Sequence, residues 1–203
     1  MKKLLAVALA MLMVLSVASF AGAEKANEDY TGKLTIYSPH DADPLNAGIA
    51  GFEALYPNVE VNVVADGTGN LLNRIAAESA APEADILWGG GADSLAAYKD
   101  YFQAYQPSSI DLIDPSLYDP EYLWIGESPL PMVFIANTNL IAEEAIPTTW
   151  KELADWDVDT YGKIAIADPT SSGSAFTQIC TIIFLYGEDY LVEGISFQGG
   201  VKT

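Results

Sequence analysis

The stretch Val59-Glu60-Val61-Asn62-Val63-Val64 alternates in polarity with a period of two, which predicts a β-strand. The segment Ala65–Asn70 that follows is rich in Asp, Gly, Thr and Asn, which are typical of a loop. Apolar residues then recur at helical spacing and stop near Pro82: they are Leu71, Leu72, Ile75 and Ala76. A strand, a loop and a helix therefore follow one another here.

The same order of elements occurs on both sides of this unit. The predicted strand, loop and helix are Lys33–Tyr37, Ser38–Pro44 and Leu45–Leu55 before it, and Ala84–Trp88, Gly89–Asp93 and Ser94–Gln103 after it. Three such units within about 70 residues imply right-handed crossovers and a parallel sheet. The sequence thus predicts an α/β fold.

The loops after the three strands are candidates for a ligand site, because the carboxyl ends of parallel strands share one edge of the sheet. Their residues offer backbone N–H groups or small polar side chains. The candidate ligand-binding residues are Ser38 and His40 in the first loop, Thr68, Gly69 and Asn70 in the second, and Gly90 and Gly91 in the third. We expect these loops to lie side by side.

A fourth candidate is the segment Asp168–Phe176, which follows the strand-like run Lys163–Ala167 and opens a helical segment through Tyr186. The start of a helix carries unpaired N–H groups and is electropositive, so it can bind an anion. The candidate residues are Ser172, Gly173 and Ser174. An ordinary serine N-cap is the alternative explanation.

Composition limits the partners and the compartment. The 203 residues carry a formal net charge of −19, which disfavours nucleic acid as a partner. Met1-Lys2-Lys3, the apolar run Leu4–Phe20 and Ala21-Gly22-Ala23 form the pattern of a secretory signal peptide, with cleavage after Ala23. A membrane anchor is the alternative. The only cysteine is Cys180, so an internal disulfide is impossible.

Catalytic motifs are absent from the sequence: it contains no G-x-S-x-G, H-E-x-x-H, C-x-x-C or P-loop pattern. We therefore expect a protein that is not an enzyme. The alternative is a secreted hydrolase in which the only histidine, His40, serves Ser172 or Ser174. His40 is also a candidate metal ligand, beside Asp41 or Asp43.

The chain resembles the periplasmic solute-binding proteins of ABC importers, and within them the group that includes ferric-ion-binding and phosphonate-binding proteins. The resemblance lies in the signal peptide and in the order of four segments: Leu34–Ser38, Gly51–Pro57, Ala84–Ile86 and Asp168–Gly173. It implies two α/β lobes, joined by a hinge, that close on a ligand. It also implies that Ser172-Gly173-Ser174 holds a phosphate or similar anion.

The residue pattern and the resemblance together predict a domain organisation. Residues 1–23 are the signal peptide, 24–32 a disordered leader, 33–131 the first lobe, and 132–203 a hinge crossing and a partial second lobe. The predicted strand Met132–Asn137 approaches or forms the first hinge crossing, with Asn137 as a candidate ligand-binding residue. Chains of this family normally continue well past this length, so we expect a fragment with a half-built second lobe.

The implied ligand is a small anion such as a phosphonate or phosphate ester, or a ferric ion with a synergistic anion. The implied protein partners are the permease and ATPase of an importer, and the binding protein is a monomer in the periplasm. His40 matches the histidine of the ferric branch. That branch also uses a carboxylate where this chain has Asn70, and a later tyrosine pair that is absent here, which puts iron in doubt.

Overall fold

The computed structural model describes residues 26–154 and 164–189. Its sheet contains β1 (Gly32–Ser38), β2 (Val59–Ala65) and β3 (Ile86–Leu87), in the order β2-β1-β3 with both pairings parallel. The register joins Gly32 to Val59 and Ser38 to Ala65. The three predicted strands and the parallel sheet are confirmed. The chain order reverses at β1, so the loops after β1 and β3 flank a switch point of the kind where α/β proteins bind ligands.

The third strand is shorter than the predicted Ala84–Trp88. The Asp85 carboxylate accepts a hydrogen bond from the backbone N–H of Thr35 at 2.8 Å, and the Asp85 N–H donates to the Thr35 carbonyl at 2.9 Å. The Asp85 side chain therefore accepts the hydrogen bond from Thr35 N–H that a backbone carbonyl of β3 would accept in a regular parallel ladder. The ladder begins one residue later, at Ile86.

Five helices occur in the described residues: α1 (Ala42–Leu55), α2 (Thr68–Ala77), α3 (Ala92–Ala97), α4 (Trp150–Ala154) and α5 (Gly173–Tyr186). The predicted third helix is wrong at its end, because α3 stops at Ala97 and a 3₁₀ turn, Lys99–Tyr101, takes its place. Such i→i+3 bonds are common where a helix tightens and ends. At the start of α4, Thr149 is the N-cap, since Glu152 N–H donates to Thr149 Oγ1 at 3.1 Å.

The core lies between the sheet and the helices. Its buried apolar side chains are Ile36 and Tyr37 in β1, Leu45 in α1, Leu71 and Leu72 in α2, Ile110, and Ala175 and Ile182 in α5. Helix α2 contacts β1 and α3, and α3 contacts α5. Helix α5 is thereby packed beside the three-stranded unit, which brings its first turn close to the sheet's carboxyl edge.

The segment between α3 and α4 is largely irregular. It contains the 3₁₀ turns Ile110–Leu112, Pro115–Leu117 and, further on, Glu143–Ala145. A single antiparallel bridge joins Tyr118 to Ile125, and Gly126 N–H donates to the Leu117 carbonyl. This bridge fixes the position of the next residue, Glu127.

Two predicted strands are not observed. Residues 132–137 and 164–167 form no ladder within the described chain, and Val133 and Ile135 are largely exposed. An apolar run becomes a strand only when a neighbour pairs with its N–H and C=O groups. The boundary of the two predicted lobes at residue 132 stays a prediction.

Two further predictions lie outside the described residues: the signal peptide and the chain from residue 190 onwards. Of the predicted leader 24–32, only residues 24 and 25 lie outside; Asn27 N–H donates to the Leu55 carbonyl at 2.6 Å, and Gly32 begins β1. Within the described ranges, none of the helices has the length and apolar character needed to cross a membrane.

Candidate functional site

The loops after β1, β2 and β3 meet at one edge of the sheet. A Cβ atom placed on Gly89 would lie 3.0 Å from His40 Nε2, and one on Gly90 would lie 3.1 Å from Thr68 Cγ2. Both glycines have positive φ angles, 112° and 94°, which few other residues adopt. The predicted juxtaposition of the three loops is confirmed, because backbone of the third loop lies directly against the other two.

The serine loop, which we define as residues 168–174, packs on the first turn of α2. The backbone N–H of Gly69 donates to the Ser171 carbonyl at 3.0 Å. A Cβ on Gly67 would lie 2.5 Å from that same oxygen, and one on Gly173 would lie 2.6 Å from Thr68 Oγ1. The starts of α2 and α5 are therefore in direct contact, with glycine at each close approach.

The serine loop is shaped by its own hydrogen bonds. Asp168 Oδ1 accepts from the backbone N–H of Thr170 at 2.8 Å and from its hydroxyl at 2.7 Å, and these bonds hold the pKa of Asp168 below its usual value. Ser172 is the N-cap of α5, and its hydroxyl oxygen accepts from Ala175 N–H at 3.4 Å. The cap is long and hence weak, so it does not by itself account for the Ser-Gly-Ser sequence.

A cleft of about 1220 Å³ runs along this edge and continues beside β3. Eight of the predicted ligand-binding residues line it: His40, Thr68, Asn70, Gly90, Gly91, Ser172, Gly173 and Ser174. Three do not. Ser38 is completely buried, Gly69 packs against the serine loop, and Asn137 lies in a turn where its Oδ1 accepts from Asn139 N–H at 3.0 Å.

Ser38 joins two loops instead of facing the cleft. Its hydroxyl donates to the Trp88 carbonyl at 2.7 Å and accepts from the His40 N–H at 3.2 Å. It therefore holds the turn that presents His40 to the residues that end β3.

Ser38→Ala should lower the free energy of unfolding by about 1–3 kcal/mol, because it leaves the part-buried Trp88 carbonyl and His40 N–H without their partner. Urea unfolding measures this loss. Ser108→Ala, at an exposed serine of the irregular segment, is the control and should change stability by less than about 0.5 kcal/mol. Equal effects of the two substitutions would contradict the assigned role of Ser38.

The sequence interpretation missed Glu127. Its Oε1 lies 2.5 Å from His40 Nε2, and its Oε2 accepts a hydrogen bond from Trp88 Nε1. The rings of His40 and Trp88 meet edge to face, with centroids 5.7 Å apart. Glu127 follows no periodic segment, so no pattern in the sequence could place it here. Trp88 lines the cleft, and its ring lies against Gly48 of α1.

The cleft is acidic. Its described lining contains neither Lys nor Arg, although Arg74 is ion-paired with two of the lining carboxylates, Glu78 and Glu83. The seven lining carboxylates are Asp66, Glu78, Glu83, Asp85, Asp93, Asp100 and Glu127. Asp66 is already engaged, because the Asn70 amide and the Gly67 N–H donate to it and lower its pKa. An anion in this cleft would depend on hydroxyls, N–H groups and helix dipoles, as sites without basic side chains do.

Within residues 26–154 and 164–189, no group of three or more His, Cys, Asp or Glu side chains is arranged to hold a metal ion. His40 has one carboxylate neighbour, Glu127, and Asn70 is bonded to Asp66. The assignment of His40 as a metal ligand, and of ferric ion as cargo, stays a prediction.

Residues 38–177 match a protein family described as bacterial extracellular solute-binding protein. A probable ABC transporter periplasmic-binding protein, y4fP of Sinorhizobium fredii, is 30% identical over 135 residues, which cover 66% of this chain and 37% of that protein. An uncharacterized protein of Haemophilus influenzae is 27% identical over 175 residues, or 80% of this chain and 50% of its own length.

Two solved structures are similar to this fold. The periplasmic binding protein AfuA of Actinobacillus pleuropneumoniae, with fructose-6-phosphate bound, matches with a TM-score of 0.65 and 28% identity, over 81% of this chain and 53% of its own. Iron-bound HitA of Pseudomonas aeruginosa matches with a TM-score of 0.61 and 23% identity, over 77% of this chain and 50% of HitA. The chain thus spans about half the length of these relatives, or less.

Proposed function

Because the chain belongs to the family of bacterial extracellular solute-binding proteins, we propose that it is the solute-capturing component of an ABC importer. The resemblance and the α/β periplasmic-binding-protein fold predicted from the sequence are confirmed. The observation that carries the proposal is the convergence of four loops on one cleft within the matched residues. These loops present hydrogen-bond donors that suit capture of a small molecule.

The hydrolase alternative lacks support. It needs His40 to act as base for Ser172 or Ser174, but His40 Nε2 is bonded to Glu127 and the Ser172 hydroxyl caps α5. The family membership also favours binding over turnover. Both observations support the proposal that the protein captures a solute without turning it over.

The family, and the similarity to the probable ABC transporter periplasmic-binding protein y4fP, support a periplasmic location and delivery to an ABC permease and its ATPase. We propose export with removal of residues 1–23, and action as a monomer. Intact mass of the secreted protein tests the cleavage after Ala23.

For the solute, the proposal is a phosphonate or a phosphate ester with its anionic group at the start of α5. The support is the meeting of Ser172, Gly173 and Thr68 at that helix start, and the fructose-6-phosphate bound by AfuA, which is 28% identical. A helix start supplies N–H donors and a favourable dipole for such an anion.

Ser172→Ala tests this placement. Calorimetry on the full chain with fructose 6-phosphate and with 2-aminoethylphosphonate should show affinity lower by roughly tenfold to a hundredfold, because a hydrogen bond to a charged group is lost. The free energy of unfolding of the ligand-free protein should fall by only about 0.5 kcal/mol, since the existing cap is long.

The matched control is Thr149→Ala, which removes the N-cap of α4, a helix whose residues do not line the cleft. It should cost about 1 kcal/mol of stability and leave affinity unchanged. If Ser172→Ala behaves in the same way as this control, Ser172 is only a cap and the proposed anion site is wrong.

A further inference from the structure

The open edge of β3 carries backbone groups that no described residue pairs. Strand β3 has β1 as its neighbour on one side, and within the described residues no strand lies on its other side. Trp88 directs both of its backbone groups to β1, since its N–H donates to the Tyr37 carbonyl and its carbonyl accepts from the Ser38 hydroxyl. Successive residues of a strand direct these groups to opposite sides, so the N–H and C=O of Leu87 point away from β1. In residues 26–154 and 164–189 neither group has a hydrogen-bond partner.

The cleft gives access to this edge. Each of the residues 84–88 lines it. Because successive side chains of a strand point to opposite faces of a sheet, a cavity in contact with every one of these residues reaches the strand from its edge. The irregular segment contributes residues 116–118 and 123–128 to the same lining. An extended chain could therefore reach the backbone of Leu87 from the cleft.

Large apolar side chains of the cleft lining are exposed to solvent. Their exposed fractions run from 45% at Ile86 to 70% at Leu130, with Tyr101 and Leu117 between these values. A free strand edge is a template for pairing with another chain, and exposed apolar side chains beside it mark a surface that a partner covers. Ile86 supplies both features, because it belongs to β3 and its side chain is exposed.

Charge decides which chain fits this edge. A second copy of this protein is a poor occupant, because each copy carries a formal net charge of −19. The cleft lining holds carboxylates and, in the described residues, neither Lys nor Arg. One of these carboxylates, Asp100, is exposed and has no hydrogen-bond or ion-pair partner among the described residues. A chain that carries Lys or Arg is therefore the complementary occupant.

We propose that the open edge of β3 is a peptide-binding site, which takes an extended segment of another protein with an apolar centre and Lys or Arg on its flanks. The segment pairs as an added strand with the N–H and C=O of Leu87, and its apolar side chains cover Ile86. Its cations meet carboxylates of the cleft such as Asp100. This site uses other residues than those proposed to hold an anion at the start of α5, and it does not depend on that anion.

Two synthetic pentapeptides with blocked ends test the proposal on the full chain: Lys-Val-Ile-Val-Lys and Glu-Val-Ile-Val-Glu. In calorimetry the Lys peptide should bind at least about tenfold more tightly, because it meets opposite charge where the Glu peptide meets like charge. N-methylation of the three central residues of the Lys peptide removes its strand N–H donors and should weaken binding by at least about tenfold. Equal binding of the methylated peptide would show that charge alone attracts it, and would overturn strand addition.

Hydrogen exchange locates the bound peptide. The Leu87 amide should exchange freely in the free protein and at least about tenfold more slowly with the Lys peptide, whereas the Trp88 amide, bonded to the Tyr37 carbonyl, should be protected throughout. Binding that leaves Leu87 unprotected would place the peptide elsewhere and contradict the proposal. Slow exchange of Leu87 in the free protein would show that the edge is already filled. Sedimentation velocity then tells a second copy from a segment of the same chain, and either occupant overturns the proposal.

Asp100→Asn tests the charge complementarity. It should lower the affinity for the Lys peptide by roughly twofold to fivefold, the effect of one exposed ion pair. Asp111→Asn is the matched control, because it removes the same charge at an exposed position outside the cleft lining, and it should leave the affinity unchanged. Equal losses from both substitutions would show that the peptide responds only to the net charge of the protein, which contradicts a site at this edge. Failure of the Lys peptide to bind the wild type would overturn the peptide site and leave the proposed solute capture untouched.

Discussion

Gly69→Ala should lower the free energy of unfolding by about 2–3 kcal/mol, although alanine normally favours a helix over glycine by about 1 kcal/mol. Gly69 is the second residue of α2, and its N–H donates to the Ser171 carbonyl. A Cβ at this position would overlap the carbonyl oxygen of Thr170. Because that obstacle is backbone, the serine loop must move away and the hydrogen bond must break.

Gly51→Ala supplies the opposite case for comparison. Gly51 is an exposed residue inside α1, and nothing lies within 4 Å of the position its Cβ would occupy. This substitution should raise the free energy of unfolding by about 0.5–1 kcal/mol. Urea unfolding gives both values, and hydrogen exchange at residues 168–172 reports whether the serine loop has left α2. Stabilisation by both substitutions would refute the contact between the starts of α2 and α5.

The contact between α2 and the serine loop could not be predicted from the sequence. Periodicity predicted the strand Val59–Val64 and the helix after it, because local alternation reflects which face is buried. The parallel order then placed three loops on one edge. Gly69 was expected to present its N–H group to a ligand, yet it donates to the Ser171 carbonyl. A glycine needed for close packing and a glycine needed for ligand approach look the same in a sequence.

Glu127 illustrates a second limit. It acquires its role because the bridge between Tyr118 and Ile125 sets the path of an otherwise irregular segment, and because His40 and Trp88 are brought together by the sheet. Neither the bridge nor the approach of His40 to Trp88 can be recognised from a pattern in the neighbouring sequence. Conversely, Met132–Asn137 has a clear apolar signal but no pairing partner in the described residues, so the local pattern overpredicted a strand. Pairing is a long-range property, and it decides both cases.

Tyr37→Ala should have the largest effect on stability, a loss of about 3–5 kcal/mol, as truncation of a large aromatic side chain in a core usually does. Tyr37 is the largest of the completely buried side chains in the described residues and lies in the central strand β1. Arg74 stacks over its ring, with the guanidinium carbon 4.8 Å from the ring centroid. Tyr105→Ala, at a tyrosine that is 71% exposed, is the control and should cost less than about 0.5 kcal/mol.

Tyr37→Phe separates the hydroxyl from the ring. The hydroxyl donates to Glu78 Oε2 at 2.8 Å, and Glu78 keeps its bond from Arg74 Nε at 2.6 Å, so losing the hydroxyl should cost about 1–2 kcal/mol.

Burial, followed by the hydrogen bond to Glu78, raises the pKa of Tyr37 above that of an ordinary tyrosine. A raised pKa in the folded state means that the unfolded chain ionises first. The advantage of the wild type over Tyr37→Phe is therefore complete below the ordinary tyrosine pKa of about 10 and is lost as pH rises through the folded-state pKa. Urea unfolding of both proteins from about pH 8 to pH 11 measures this, and a difference that stays constant or grows with pH would contradict the buried, protonated state of Tyr37.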